Sequence, residues 1–545
     1  MRPLFLLSLV LVAAAGQARG VRSKDCAVCH AAIYRNYSET AMAKSSGLVN
    51  GVPFPVSDER SAFTSPAGTV QYRVASRGGE ISFDFQQGDI KGQRRLEYFI
   101  GSGAVGRSFL TRMEGFIYQA PVSYYSSAMR WGLSPGYENT EELNLVRGVE
   151  PACLNCHASS VQTIPATANG YADPPWLENG VACERCHGPG EEHVTRMKSG
   201  NGARDTGIVN PAKLEGVARD SVCAQCHLPG AVEIARSGKP GSYKPGERLS
   251  DSVTVFVWAD ANRETTVNGH FEQLARSECH RASAGKLWCG SCHDPHRVVP
   301  KASPKTALEV EKASFYRSRC FSCHSESSCT APRKDRAAAA DNCIACHMPR
   351  EPATTVRHAA FTDHNIRRRP RANPAPGTLA TAVLTPFAGF ERSDRELGLA
   401  YATVALRDAN RVWGMRAFEL LRKVNAQMPN DVKVAAQLAQ LYDRMGNEEQ
   451  ACGLYARVVE LDPTASAAAV NLGTCLSHQG RIDESLKLWE SVLKVNPTLE
   501  PAVLNLAVAQ YRKGDVDGAR ATLERALKFN PALRAARDLL RDMGR

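Results

Sequence analysis

The sequence predicts a mainly α-helical chain in two unlike halves. The first is packed around covalently attached groups and carries a small β-rich insertion, and the second is an α-solenoid. Two internal repeats carry that prediction. Cys-x-x-Cys-His occurs seven times between Cys26 and His347, and a 34-residue helical period runs from Pro429 to Pro531. With 545 residues the chain exceeds one compact core, so at least two domains are expected.

The cysteine pairs are Cys26 and Cys29, Cys153 and Cys156, Cys183 and Cys186, Cys223 and Cys226, Cys289 and Cys292, Cys320 and Cys323, and Cys343 and Cys346. Each pair is followed at once by a histidine: His30, His157, His187, His227, His293, His324 and His347. This is the c-type haem attachment pattern: two thiols add across the porphyrin vinyl groups, and the adjacent imidazole reaches the iron as proximal ligand. A zinc ribbon has no use for a histidine after every second cysteine, and seven is an odd number of half-sites. A disulfide scaffold gives no reason for the histidine either. Seven covalent haems c are therefore expected, and they consume fourteen of the eighteen cysteines.

The amino end, Met1-Arg2-Pro3 followed by apolar residues 4–15 and small residues up to Ala18, has the form of a secretory signal peptide over residues 1–20. The apolar run is shorter than a membrane span needs, and no later segment is long and apolar enough for one. Haem attachment to cysteine takes place outside the cytoplasm, so a periplasmic or extracellular location is expected. The formal charge of +11 does not point to nucleic acid. Two propionates per haem against one ferric charge contribute about −7 over seven haems, which leaves the basic residues as counter-charge.

Residues 21–372 form the expected haem domain. Between the first and second motifs, alternation in Val70-Gln-Tyr-Arg-Val74, Ile81-Ser-Phe-Asp-Phe85 and Leu96-Glu-Tyr-Phe-Ile100 predicts strands, with turns at Gly78-Gly79 and Gln87-Gly88. A β-rich insertion over about residues 50–130 follows. Within it, Gly101-Ser-Gly103-Ala-Val-Gly106 matches the dinucleotide-binding fingerprint, but no helix-length segment comes after it, and a glycine-rich turn is the reading. From Cys153 onward the motifs crowd among Gly- and Pro-rich loops. So little apolar sequence per motif predicts short helices carrying the proximal histidines around stacked haems.

Of the fourteen histidines, seven are proximal and His478 lies in the second half, leaving His193, His270, His280, His296, His358 and His364 as distal candidates. Six would make six haems bis-His and leave one without a histidine partner. That haem takes a methionine, for which Met42 on a helix after the first motif is the candidate, or keeps an open sixth position. An open position would be a catalytic or ligand-binding site.

Cys183-Glu-Arg-Cys186-His187-Gly-Pro-Gly190-x-x-His193 resembles the motif and distal histidine of the cytochrome c-554 type multihaem family, related to hydroxylamine oxidoreductases and octahaem reductases. Gly269-His270, Ser291-Cys292-His293-Asp294-Pro295-His296, Cys346-His347-Met348-Pro349 and His358-x-x-Phe361-Thr-Asp-His364 resemble the tetratricopeptide-bearing members of that group. The resemblance covers roughly residues 24–370. It implies close-packed haem pairs with distal ligation by His193, His270, His296 and one or both of His358 and His364. Catalytic members carry an additional protein–haem crosslink or a lysine-ligated haem, and this sequence has no Cys-x-x-Cys-Lys.

Residues 373–392, basic and Pro-rich upstream, are read as a linker, and residues 393–545 as the solenoid. Pro429, Pro463, Pro497 and Pro531 recur every 34 residues, as do Gly446, Gly480 and Gly514, with small residues at Ala417, Ala451, Ser485 and Ala519. This is the tetratricopeptide pattern: small residues let paired helices approach, Gly turns between them and Pro ends each pair. Three repeats, a degenerate leading one and a terminal helix are expected. Cys452 and Cys475 can face each other across a repeat junction, and Cys279 and Cys329 either pair or stay as thiols. The reading is an exported seven-haem electron carrier whose repeats dock a redox partner or another copy. The alternative is a reductase or oxidase of small nitrogen or sulfur species at the haem lacking a distal histidine. The seventh motif stands nearest the linker in sequence.

Overall fold

The computed structural model describes residues 20–51, 54–56, 61–126, 128–200, 207–236, 243–259, 269–298, 305–352, 360–368 and 382–544. The expected signal segment and His358 lie outside them.

The β-rich region is larger than expected. Nine strands precede the second motif: β1 (Ser46–Leu48), β2 (Ala62–Thr64), β3 (Gln71–Arg77), β4 (Glu80–Gln87), β5 (Ile90–Arg95), β6 (Tyr98–Ile100), β7 (Gly106–Met113), β8 (Phe116–Tyr125) and β9 (Arg130–Leu133). They form two antiparallel sheets, ordered β2-β3-β4-β5 and β1-β6-β7-β8-β9. Alternation sets which face is buried: in β3, Tyr72 and Val74 face inward between exposed neighbours. They join Phe83, Phe85, Phe109 and Trp131 in one core. The β7–β8 hairpin turns on Glu114-Gly115, both at positive φ, as a two-residue hairpin requires. The fingerprint-like glycines form the β6–β7 turn, with Gly101 and Gly103 at φ 99° and 84°, and a strand follows instead of a helix.

Strands also recur among the later motifs, where only helices and loops are expected: β10 (Ala158–Thr163) with β11 (Tyr171–Asn179), β12 (Val232–Ala235) with β13 (Val253–Trp258), and β14 (Arg350–Pro352) with β15 (Ala360–Thr362). A last strand, β16 (Leu384–Pro386), lies in the segment expected as linker and pairs with β13. The cause is local: Ala382-Val-Leu-Thr-Pro-Phe387 is an apolar strand-length run behind the Pro-rich stretch, and Leu384 and Phe387 are buried.

The second half is helical throughout. Helices Asp394–Asp408 and Arg411–Gln427 make a leading pair. Three further pairs follow: Val432–Arg444 with Glu448–Leu461, Ser466–His478 with Ile482–Val495, and Glu500–Arg512 with Val516–Phe529. The helix Arg534–Met543 closes the array. Ala417, Ala451, Ser485 and Ala519 are fully buried where paired helices meet. Gly446, Gly480 and Gly514, at φ 76°, 78° and 86°, turn the chain between them.

Both ends of this array rest on the first half. At the leading end, Trp413 stacks on Trp258 of β13 at 4.8 Å and donates its indole N–H to the Ala382 carbonyl. The Tyr401 hydroxyl accepts the Leu384 N–H beside it. At the far end, Phe529 is buried against Phe116 and Tyr118, and Ala532 enters the core of the two-sheet region. Hairpin turns supply carboxylates: Glu114 meets Arg525 and Asp89 meets Arg537, both at 2.8 Å or less.

Cys452 and Cys475 form a disulfide, Cα–Cα 5.9 Å, that ties one repeat to the next. Cys279 and Cys329 remain free thiols. Closing the loop between Cys452 and Cys475 is worth about 3 kcal/mol. Cys475→Ser is expected to lower the unfolding free energy of the repeat half by about that amount, and with it the thermal midpoint read by calorimetry, and to leave the visible absorption of the first half unchanged.

Candidate haem-attachment sites

Each motif is built on a single helical turn. The His N–H bonds the carbonyl of the first cysteine at His30 (2.8 Å), His187 (3.0 Å), His293 (2.9 Å) and His324 (3.0 Å). A turn of that pitch puts residues i, i+3 and i+4 on one face, so both thiols and the imidazole address the same group. The turns stand alone or end longer helices: Pro151–His157, Glu184–His187, Gly216–His227, Cys289–Cys292, Lys305–Cys320 and Cys343–His347. His30 instead caps the helix Ala31–Ser38.

The motifs form one contiguous run. Thiols of different motifs neighbour one another: Cys26 and Cys183, Cys156 and Cys226, Cys223 and Cys289, and Cys320 and Cys343. Arg185 in the third motif donates to the Asn155 carbonyl in the second, and Gln225 in the fourth donates to the Arg185 carbonyl. Cys292 of the fifth motif lies near Cys323 of the sixth.

Distant histidines face the motif histidines. His193 stacks on His30 with ring centroids 6.4 Å apart and planes 16° apart. His296 faces His187 at 5.8 Å and 19°, and His364 faces His293 at 6.3 Å and 29°. Two imidazoles bound to one metal from opposite sides need about 6 Å between centroids, twice a metal–nitrogen bond of about 2 Å plus the ring radii. The spacing therefore fits a haem iron between the rings. His270 and His227 lie closer, at 5.1 Å and 66°, with their Nδ1 atoms 3.1 Å apart.

Proton placement fits as well. His187 Nδ1 bonds the Val209 carbonyl at 2.8 Å, His347 Nδ1 the Arg367 carbonyl at 2.6 Å, and His364 Nδ1 the Thr362 carbonyl at 2.8 Å. A carbonyl only accepts, so Nδ1 carries the proton and Nε2 keeps its lone pair for a metal.

The remaining candidates are placed differently. His280 packs edge-on to Phe271 with its Nε2 buried and without a hydrogen-bond partner. Among the described residues no histidine ring faces His157, His324 or His347. His157 is half-buried, with its Nδ1 buried and unpartnered. Met42 is not on a helix: the helix after the first motif ends at Ser38, and Thr40 turns the chain by accepting the Ala43 N–H on its hydroxyl. Its backbone lies beside the second motif, because the Ser45 hydroxyl bridges the carbonyls of Met42 and His157. Sequence reasoning did not find the carbonyls of Val209, Thr362 and Arg367, which belong to no motif.

Three family models match parts of the chain. One described as cytochrome c554 and c-prime matches residues 130–188, and two described as tetratricopeptide repeat match residues 437–501 and 478–542. A curated relative, the multiheme cytochrome MtrA of Shewanella baltica (strain OS185), is 27% identical over 189 residues. The match takes in 32% of this chain and 52% of the relative, so the chain spans about half the length of the curated relative it matches. Among solved structures, MamA of AMB-1 is 26% identical over 25% of this chain and 76% of its own, with a TM-score of 0.22. YrrB, a TPR protein with an unusual peptide-binding site, is 20% identical over 27% of this chain and 73% of its own, with a TM-score of 0.24. The first half of the chain is thus similar to multihaem c-type cytochromes, and the second half carries tetratricopeptide repeats.

Burial holds His157, His227, His293, His296 and His364 below the ordinary imidazole value of 6.5. The folded chain thus binds fewer protons than the unfolded one as pH falls below 6.5. In the haem-free chain, where no iron holds these rings, stability is expected to be complete above that value and to decline steadily beneath it. Circular dichroism on titration from about pH 8 to about pH 4 checks this, and an onset of loss on the alkaline side would contradict it.

Proposed function

We propose that the chain is an exported heptahaem cytochrome that transfers electrons through closely stacked covalent haems while its repeats dock a protein partner. The observation that carries this reading is the facing of His193, His296 and His364 onto motif histidines at the separation one iron requires. A second supports it. Residues 275–383 hold three motifs, yet Ala313 is the sole buried apolar side chain among the described residues of that stretch. Polypeptide alone does not supply a core there, and porphyrin does.

Haem c supplies reversible one-electron chemistry when bound. The chain's residues attach, orient and shield it. The seven cysteine pairs hold the vinyl edges, and His30, His157, His187, His227, His293, His324 and His347 are the proximal ligands. His193 would serve the first motif, His296 the third and His364 the fifth, while His270 lies beside His227 of the fourth. With haem bound, these distal imidazoles would hold the iron and keep small ligands out at those motifs. Export accords with the leader-like residues 1–20 and with the disulfide Cys452–Cys475, which suits an oxidising compartment. No helix among the described residues is long and apolar enough to cross a membrane.

One observation favours the enzymatic alternative. Among the described residues no histidine faces His157, His324 or His347. Of these, His157 has a buried Nδ1 without a partner and lies beside the Met42 backbone, so the second motif is the first candidate for a haem with an open position or one ligated by Met42. The mass of the mature protein is expected to exceed its polypeptide by seven haems, and a mass equal to the bare polypeptide would overturn the reading. Electron paramagnetic resonance of the oxidised protein is expected to show predominantly low-spin ferric haem. His193→Ala is expected to convert one centre to high spin. A native high-spin signal that shifts with nitrite, hydroxylamine or cyanide would favour the enzyme.

A further inference from the structure

We infer that Asp363 is a positioning residue that couples two of these iron ligands, His347 of the seventh motif and His364 facing the fifth, through the one short loop it closes. The inference rests on the haem reading above.

The chain leaves the seventh motif through Met348 and Pro349 into β14, and returns along β15 to residues 363–367. At the return, the Asp363 N–H donates to the Pro349 carbonyl at 2.9 Å, and the Arg367 N–H donates to the His347 carbonyl at 3.0 Å. The loop is thereby stitched to the motif at both ends. The Arg367 carbonyl then accepts from His347 Nδ1, and the Thr362 carbonyl from His364 Nδ1. Four residues separate the two carbonyls that orient these rings. The His364 N–H is fixed separately by Gln273 Oε1 at 2.7 Å, from the segment that follows His270.

The loop does not hold its shape unaided. Ile366 sits at φ 47°, a left-handed conformation that a β-branched residue adopts only where its surroundings impose it. The Asp363 carboxylate is what imposes it. Its side chain is 2% exposed, Oδ2 lies 2.8 Å from Arg367 Nε as an ion pair, and Oδ1 accepts the Asn365 N–H at 2.9 Å. One buried carboxylate thus grips the residue on each side of Ile366. A carboxylate this deep needs its partners, and removing it frees Arg367, whose carbonyl is the acceptor for His347. A proximal imidazole that loses the acceptor at Nδ1 becomes a poorer donor to iron, which raises the potential of that haem. His364, next in sequence to Asp363, turns relative to His293 at the same time.

The test uses the full haem-loaded chain. Asp363→Ala is compared with the native protein and with Asp363→Glu by redox titration and electron paramagnetic resonance, with haem number read by mass. Two centres are expected to change together in Asp363→Ala, one by an upward shift of potential and one in its low-spin g-values. The other centres stay as they are, and Asp363→Glu restores part of both changes. A loaded Asp363→Ala with every signal unchanged overturns the proposal, and so does a change confined to one centre. Where Asp363→Ala does not accumulate, Arg367→Ala removes the same ion pair while keeping the backbone carbonyl, and the same two outcomes decide. A native chain without covalent haem would fail the earlier reading instead, and its mass shows that before any variant is made.

Discussion

The N-terminal half depends on imidazoles that meet across long stretches of sequence. Each motif spends its local backbone on one helical turn, which fixes two thiols and a ring but packs nothing around them. Closure comes from elsewhere in the chain: His193 returns to the first motif, His296 to the third and His364 to the fifth. Where motifs are densest, apolar burial among the described residues nearly vanishes, and with it the aliphatic packing that ordinarily offsets chain entropy. Carbonyls of Val209, Thr362 and Arg367 complete the arrangement by fixing which nitrogen of each ring is free.

The β-rich region answers a different need. Its two sheets hold a conventional aromatic core, and its hairpin turns reach the far end of the repeat array. Glu114 and Asp89 sit on tight turns and meet Arg525 and Arg537, while Phe529 fills the apolar gap beside Tyr118. The exposed ion pairs contribute little each, and the buried aromatic contact contributes most of the adhesion. An open solenoid of this length would bend freely between repeats. Here the disulfide ties its middle and the haem half holds its two ends.

Repetition makes much of this legible. The seven motifs and the 34-residue period are written in residue identity, and the helix pairs fall where the Pro and Gly spacing puts them. Counting histidines outside the motifs is enough to nominate His193, His270, His280, His296, His358 and His364. Which of them meets which motif is not legible, because that depends on the path of the chain and not on spacing. Met42 reads as helical only while Thr40 goes unrecognised as a turn residue, and β13 escapes notice because its apolar run Val-Thr-Val-Phe-Val-Trp lacks alternation. The contact between the halves leaves no trace in the sequence, since it joins turn carboxylates to arginines that obey no period.

That contact changes where a partner on the repeats would stand. By sequence the seventh motif is nearest the second half. In the fold, the leading helix pair packs on β12, which follows the fourth motif directly, and on β13 beside it. Phe387, at the entry to the repeats, stacks on Phe271, the neighbour of His270, at 5.7 Å. Electron exchange falls steeply with distance, so packing and not chain order decides which centre a docked protein addresses. A partner seated on the leading repeats lies closer to the His227 and His270 pair than the linker alone would suggest. The strand Leu384–Pro386, read from sequence as spacer, is the element that fixes this proximity, because it binds β13 on one side and the helices on the other.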